Sequence, residues 1–257
     1  EAGDPYTYVN GGVWFHGNAW YALALMANGE KISALNFIKD TMTLEGILNS
    51  PNGQIAMYEY RNGNYRNPGE YGVVQNPQFL WAGGWYLYSL YHLFGISENS
   101  WNISFDPFLY DRQKICRFDI FAGGKLLDVR VSGNGRHVKE IRYSGKFYPS
   151  AVIPENLPDG KNVEIIMGTP ESPYLFSTNS ILVSCFLNRE NKTLNAKLRA
   201  FKGHKNRTEF ILLEEPEQVL LNGEPLKSRT FVQEEDVYRL ILNFVHESDE
   251  EDIVIEY

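Results

Sequence analysis

Two glutamates in one loop are the residues best suited to move protons. Glu59 lies in Met57-Tyr58-Glu59-Tyr60-Arg61-Asn62-Gly63, and Glu70 in Asn67-Pro68-Gly69-Glu70-Tyr71-Gly72. Glycoside hydrolysis with inversion needs a carboxylate that activates water and a carboxylic acid about 6.5–9.5 Å away that protonates the leaving group. A carboxylate partly buried among rings has a raised pKa, and Tyr58 and Tyr60 flank Glu59. Glu59 is therefore the expected general base, and Glu70 an expected substrate contact. An ordinary surface carboxylate is the competing role for both. Tyr58, Tyr60, Tyr65, Tyr71 and Trp81 offer ring faces on which a sugar can stack, with Arg61, Asn62 and Asn64 beside them to bond hydroxyls. For Trp81 and Trp85, core packing competes with that role. His16 stands at the start of a helix, where free amides and the helix dipole favour an anion. The alternative is a buried imidazole bonded to a backbone carbonyl.

Other chemistries are excluded or unsupported. The five histidines (16, 92, 137, 204 and 246) stand far apart without ligand spacing, so no metal site and no cofactor are expected. Gly133-Asn134-Gly135 is too short for a phosphate loop and suits a hairpin turn. Two cysteines, Cys116 and Cys185, cannot build a disulfide scaffold, and buried free thiols are expected. A net charge of −8 argues against nucleic acid or an anionic membrane surface as partner. Phe79 to Ile96 carries no acid, Lys or Arg, but its Tyr, Trp, Ser and His tips and the Gly83-Gly84 pair mark a buried helix rather than a membrane span. The compartment is left open, with the cytoplasm favoured.

The elements that must position these residues show a change of composition. All five tryptophans and ten of the sixteen tyrosines lie in residues 1–101. Residues 1–100 hold 8 acids and 4 bases, while the rest hold 24 and 20. Val13 to Ala27 reads as a helix stopped by Asn28-Gly29. Glu30 to Leu44 repeats Ile32, Leu35, Ile38 and Met42 at helical spacing. Residues 49–77 form a long loop rich in Asn, Gly, Pro and Tyr, and loops of that length are often functional. Pro77 to Phe94 is the third helix, stopped by Gly95. Further on, Cys116 to Ile120 and Leu194 to Ala200 alternate with period two, and turn signals recur through Asn222-Gly223, which predicts antiparallel strands.

NGGVWFHGNAW, residues 10–20, resembles the NGG-aromatic-x-His-x-x-x-Trp segment of glycoside hydrolase family 94, the cellobiose and chitobiose phosphorylases. Pro77 to Trp85 falls where that family has Pro-Trp-Leu-Thr-Gly-Thr-x-x-Trp. An aromatic helix and a Gly-Ile pair follow in both, here Gly95-Ile96, and the pattern from Asp106-Pro107 onward resembles the family's C-terminal β domain. The resemblance spans residues 6–168. It implies an α+β multidomain protein, the terminal helices of an (α/α)6 barrel followed by antiparallel β-sandwich domains. Residues 1–101 would be the last barrel helices, residues 102–172 one sandwich and residues 173–257 a second that the resemblance does not reach. It also implies that His16, with Trp14 beside it, helps hold phosphate or substrate. Glu59 resembles the placement of the base in glucoamylase-like barrels. The general acid is expected from a preceding part of the same protein or from a second chain. The family's phosphate-binding threonines fall at Leu80 and Ala82, whose side chains cannot donate, so water replaces phosphate as the expected nucleophile.

The expected function is cleavage of glycosidic bonds in an oligosaccharide by inverting hydrolysis. A sugar phosphorylase, kept open by His16, and a non-catalytic carbohydrate-binding or structural module are the alternatives. A binding module predicts aromatic side chains exposed on a sheet face within residues 115–257, a stretch without tryptophan.

Overall fold

The computed structural model describes residues 4–43, 45, 48–49, 57–98, 101–109, 115–122, 124–156 and 160–257. The chain divides into two compact units, Glu1–Phe94 and Gly95–Tyr257. The early part of the long loop, residues 50–56, lies outside the described residues, as do Gly123 and residues 157–159 of two expected turns.

In the first unit, helix α1 spans Phe15–Ala27, α2 Lys31–Met42 and α3 Leu80–Leu93. Their buried residues recur at helical spacing on one face each: Phe15, Ala19 and Ala22; Ala34, Ile38 and Met42; Ala82, Ser89 and Leu93. The small side chains Ala19, Ala22 and Ala82 leave room for Phe15 and Tyr58 between the helices, and Val74 completes this core. Helix α1 ends at Asn28-Gly29, with Gly29 in the left-handed region at φ 80°. Val13 and Trp14 depart from the helical expectation. They form strand β1 (Val13–Trp14), which pairs antiparallel with β2 (Tyr60–Arg61), and β2 pairs with β3 (Val74–Gln75). Two-residue strands in a Gly- and Asn-rich loop have no period to read.

The second unit is built of strands. The pair β4 (Ile96–Glu98) and β5 (Ile103–Phe105) comes first. Strands β6 (Ile115–Ala122), β7 (Lys125–Gly133), β8 (Val138–Tyr143), β9 (Lys146–Phe147) and β10 (Asn162–Met167) form a sheet ordered β6-β7-β10-β8-β9, with β10 parallel to β7. Strands β11 (Tyr174–Thr178), β14 (Lys205–Leu212), β17 (Arg229–Glu234) and β18 (Val237–Val245) form a second, ordered β11-β14-β18-β17. Strands β12 (Ile181–Asn188), β13 (Thr193–Arg199), β15 (Gln218–Leu221), β16 (Glu224–Pro225) and β19 (Glu250–Glu256) form a third, ordered β12-β13-β19-β15-β16. Alternation sends every second residue inward. Leu194, Ala196 and Leu198 of β13 meet Phe210, Leu212, Leu240 and Leu242 of the middle sheet in one core. Tyr174, Ile211 and Val237 join Val129, Ile141 and Ile165 in the other. The four-stranded sheet therefore has apolar cores on both faces.

These elements correct the fold that the family resemblance implied. The described residues contain three α-helices and open sheets, whereas an (α/α)6 barrel is a closed ring of about twelve helices. The helices close a core of their own with Tyr58 and Val74 instead. The glycines that carried the resemblance have a local cause. A short 3-10 turn, Tyr8–Asn10, runs into Gly11 at φ 110°. A Cβ on Gly12 would lie 2.7 Å from the Tyr8 carbonyl oxygen and 2.9 Å from the Tyr60 ring. Asn10-Gly11-Gly12 is a tight turn against an aromatic wall. No helix among the described residues is long and apolar enough to cross a membrane.

Candidate functional site

The small sheet brings Glu59 and His16 together. The Glu59 amide donates to the Asn76 carbonyl at 3.1 Å, and the Glu59 carbonyl accepts from the Phe15 amide, the first of α1, at 3.4 Å. The side chain is held as well: Asn76 Nδ2 donates to Glu59 Oε2 at 2.5 Å. His16, the second residue of α1, is 7% exposed. Its ring centroid lies 4.9 Å from Trp14, 5.1 Å from Trp20 and 6.1 Å from Phe79. Burial pushes the imidazole pKa below its ordinary value, and the Glu59 charge acts the other way. Its Nδ1 is buried without a hydrogen-bond partner among the described residues. Buried polar atoms are normally bonded, so this unpartnered imidazole nitrogen is a place for an internal water.

The rings extend beyond His16. Trp20 meets Trp85 edge-on at 5.5 Å, and Trp14, Tyr60 and Tyr8 lie 4.7–5.8 Å from one another. Trp14 Nε1 donates to the Tyr8 carbonyl at 3.1 Å, which fixes the indole. Four non-glycine residues of this region hold left-handed backbone: Tyr6 (φ 68°), Tyr8 (40°), Asn76 (48°) and Gln78 (66°). Asparagine tolerates this conformation, but for the others it is strain of about 1–3 kcal/mol each, and such strain gathers at binding and catalytic sites.

The expected site residues do not all converge. Glu59, His16, Trp14 and Tyr60 do. Tyr58 does not: it is 1% exposed and packs edge-on against Phe15 at 5.2 Å, so its faces cannot receive a sugar. Burial raises its pKa, opposed by the Arg61 charge and hydrogen bond. Glu70 is exposed and accepts from Asn64 Nδ2 at 3.2 Å within the loop. Trp81 is 59% exposed on α3 and is not among the rings around His16; that exposure rules out the core-packing alternative for it. Leu80 is exposed and Ala82 buried, and neither offers a donor. Asn76, Trp20 and Phe79 were not expected at the site. Trp20 has a sequence signal, since positions i and i+4 share a helix face.

A second polar cluster, unsuspected from the sequence, lies inside the β unit. Ser180 Oγ is 3.0 Å from His246 Nε2 and accepts from Asn206 Nδ2 at 2.7 Å. Thr178 and Thr208 bond each other at 2.7 Å, and Thr208 donates to Asn206 Oδ1 at 2.8 Å. A serine beside a histidine is the geometry of an activated nucleophile, but Ser180 is wholly buried, so no substrate can reach it. The cluster ties strands together. Among the described residues no group of His, Cys, Asp and Glu could hold a metal ion.

No family model matches the chain, and no curated protein matches it, so the resemblance to family 94 has no support from comparison either.

Proposed function

We propose that residues 6–94 bind a saccharide and that Glu59 is the general base for hydrolysis of its glycosidic bond. The observation that carries this reading is the buried, unpartnered Nδ1 of His16, within electrostatic reach of Glu59 and ringed by Trp14, Trp20 and Phe79. The rings supply apolar faces for sugar C–H groups. His16 Nδ1 holds the attacking water. Asn76 orients the carboxylate through Oε2, which leaves Oε1 to take the proton.

A second reading, saccharide binding without chemistry, is favoured by one observation. Glu70, the other carboxylate in the described part of this loop, is bonded to Asn64 instead. Glu59→Gln separates the two. It keeps the shape and removes the proton acceptor. Hydrolysis of a panel of oligosaccharides should fall by about 10²–10⁴-fold, with binding by calorimetry retained. An unchanged rate discards Glu59 as the base. Binding in the parent chain without any turnover leaves the second reading.

A further inference from the structure

The β unit carries a groove that Glu59 and His16 do not explain. It is lined by Glu98, Trp101, Asn102, Phe121, Glu155 and Ile181, among others, and encloses about 410 Å³, within the usual size of small-molecule sites. Two of its lining side chains are aromatic rings partly exposed to water: Trp101, 42% exposed, with Phe201 and His204 at 6.4 and 6.3 Å, and Phe121, 69% exposed. Phe121 stands on the outer side of β6, where the residue two before it is the charged Asp119.

The floor of the groove is rigid. Asn102 Nδ2 donates to the carbonyls of Thr178 and Ser180, and its Oδ1 accepts from the Leu182 amide. Thr178 and Ser180 belong to the buried network with Asn206 and His246. A preformed floor lowers the ordering cost of binding.

The carboxylates of the groove lining are those of Glu98 and Glu155. Glu155 is ion-paired with Arg199. That guanidinium offsets one of the two negative charges, and the carboxylate oxygens still accept hydrogen bonds. A ligand that offers apolar C–H faces to the two rings and hydroxyl donors to the two carboxylates meets these conditions.

We propose that this groove is a saccharide-binding site, with Trp101 and Phe121 as stacking platforms and Glu98 and Glu155 as hydroxyl acceptors for a neutral sugar of one or two rings. The choice of sugar class rests on the reading of the first unit; the groove itself does not.

The test is calorimetric titration of the whole chain with cellobiose, maltose and chitobiose, in the parent and in Trp101→Ala, Phe121→Ala and His16→Ala. Phe121 is largely exposed, so its removal leaves the fold intact. At least one disaccharide should show a binding component that persists in His16→Ala and weakens roughly three- to tenfold in each ring variant, the worth of one aromatic contact. Equal affinity in the ring variants and the parent overturns the proposal. So does the absence of binding at millimolar sugar, and so does binding of choline in place of the sugars. Binding lost only in His16→Ala removes the groove and keeps the first site; binding lost only in the ring variants does the reverse.

Discussion

Gly12→Ala tests whether the Asn10-Gly11-Gly12 segment is an architectural turn. The added Cβ would sit 2.7 Å from the Tyr8 carbonyl oxygen and 2.9 Å from Tyr60 Cδ2, both closer than real Cβ atoms approach. The carbonyl cannot swing away freely. It accepts from the Gly12 amide at 3.0 Å and from Trp14 Nε1 at 3.1 Å. Relief therefore breaks one of those bonds or moves Tyr60 off the wall it shares with Trp14. Overpacking of this kind costs about 1–3 kcal/mol. Gly84→Ala is the control. Gly84 lies inside α3, and a Cβ there meets nothing within 4 Å. Replacing a mid-helix glycine should stabilise by about 0.5–1 kcal/mol. Urea unfolding followed by tryptophan fluorescence reads both, because Trp14, Trp20, Trp81 and Trp85 all lie in this unit. The near-ultraviolet circular dichroism of the ring cluster should change in Gly12→Ala alone. A Gly12→Ala midpoint equal to or above the parent's refutes the steric account.

Two further outcomes follow from burial. Burial above all holds His16, His137 and His246 below the ordinary imidazole pKa. The unfolded chain therefore binds protons first as pH falls: their contribution is complete above about pH 6.5 and is lost between there and each native pKa, by about 1.4 kcal/mol per pH unit for each unmatched proton. Denaturant midpoints that stay level from about pH 7.5 to about pH 5 would contradict the assignment of neutral buried rings. Cys116 and Cys185 are buried, Cys185 Sγ donates to the Pro149 carbonyl at 3.3 Å, and burial pushes the Cys185 thiol pKa up. A thiol reagent at neutral pH should label neither in the native chain and both in urea; rapid native labelling of Cys185 would show that its strand opens.

The repeating elements were legible because they repeat. Ile38 and Met42 sit on one buried helix face, and the alternation of Leu194 to Ala200 places Leu194, Ala196 and Leu198 in a core. The family resemblance rested on glycines and aromatic residues, which a tight turn and a ring wall demand in any fold. That is why the motif misled about architecture while still marking where the rings gather. Tyr58 and Tyr60 show the limit on the site. Both flank Glu59, but one side chain fills the core and the other joins the Trp14 wall, and only pairing of the strand decides which. The Ser180–His246 contact joins residues far apart in sequence, across a strand pairing that no local pattern announces.

Register is what makes the candidate site. Trp14 pairs with Tyr60, and Tyr60 pairs with Gln75. The next step along each strand sets Phe15 against Glu59 and Glu59 against Asn76, the two backbone hydrogen bonds observed there. Helix α1 begins at that step, so its second residue, His16, follows directly on the residue set against Glu59, while Phe15 turns into the core. A slip of one residue would exchange the faces of the strand and set a tyrosine where Glu59 stands. The pairing has only two residues per strand to resist such a slip. The surrounding contacts supply what the short ladder lacks: Trp14 anchored on the Tyr8 carbonyl, Gly12 pressed to the Tyr60 ring, Gly63 donating to the Tyr6 carbonyl at 2.8 Å, and Arg61 Nε donating to the Gly72 carbonyl at 2.9 Å. The left-handed tyrosines and Asn76 are held by the same contacts, so the backbone strain and the meeting of Glu59 with His16 have one structural cause.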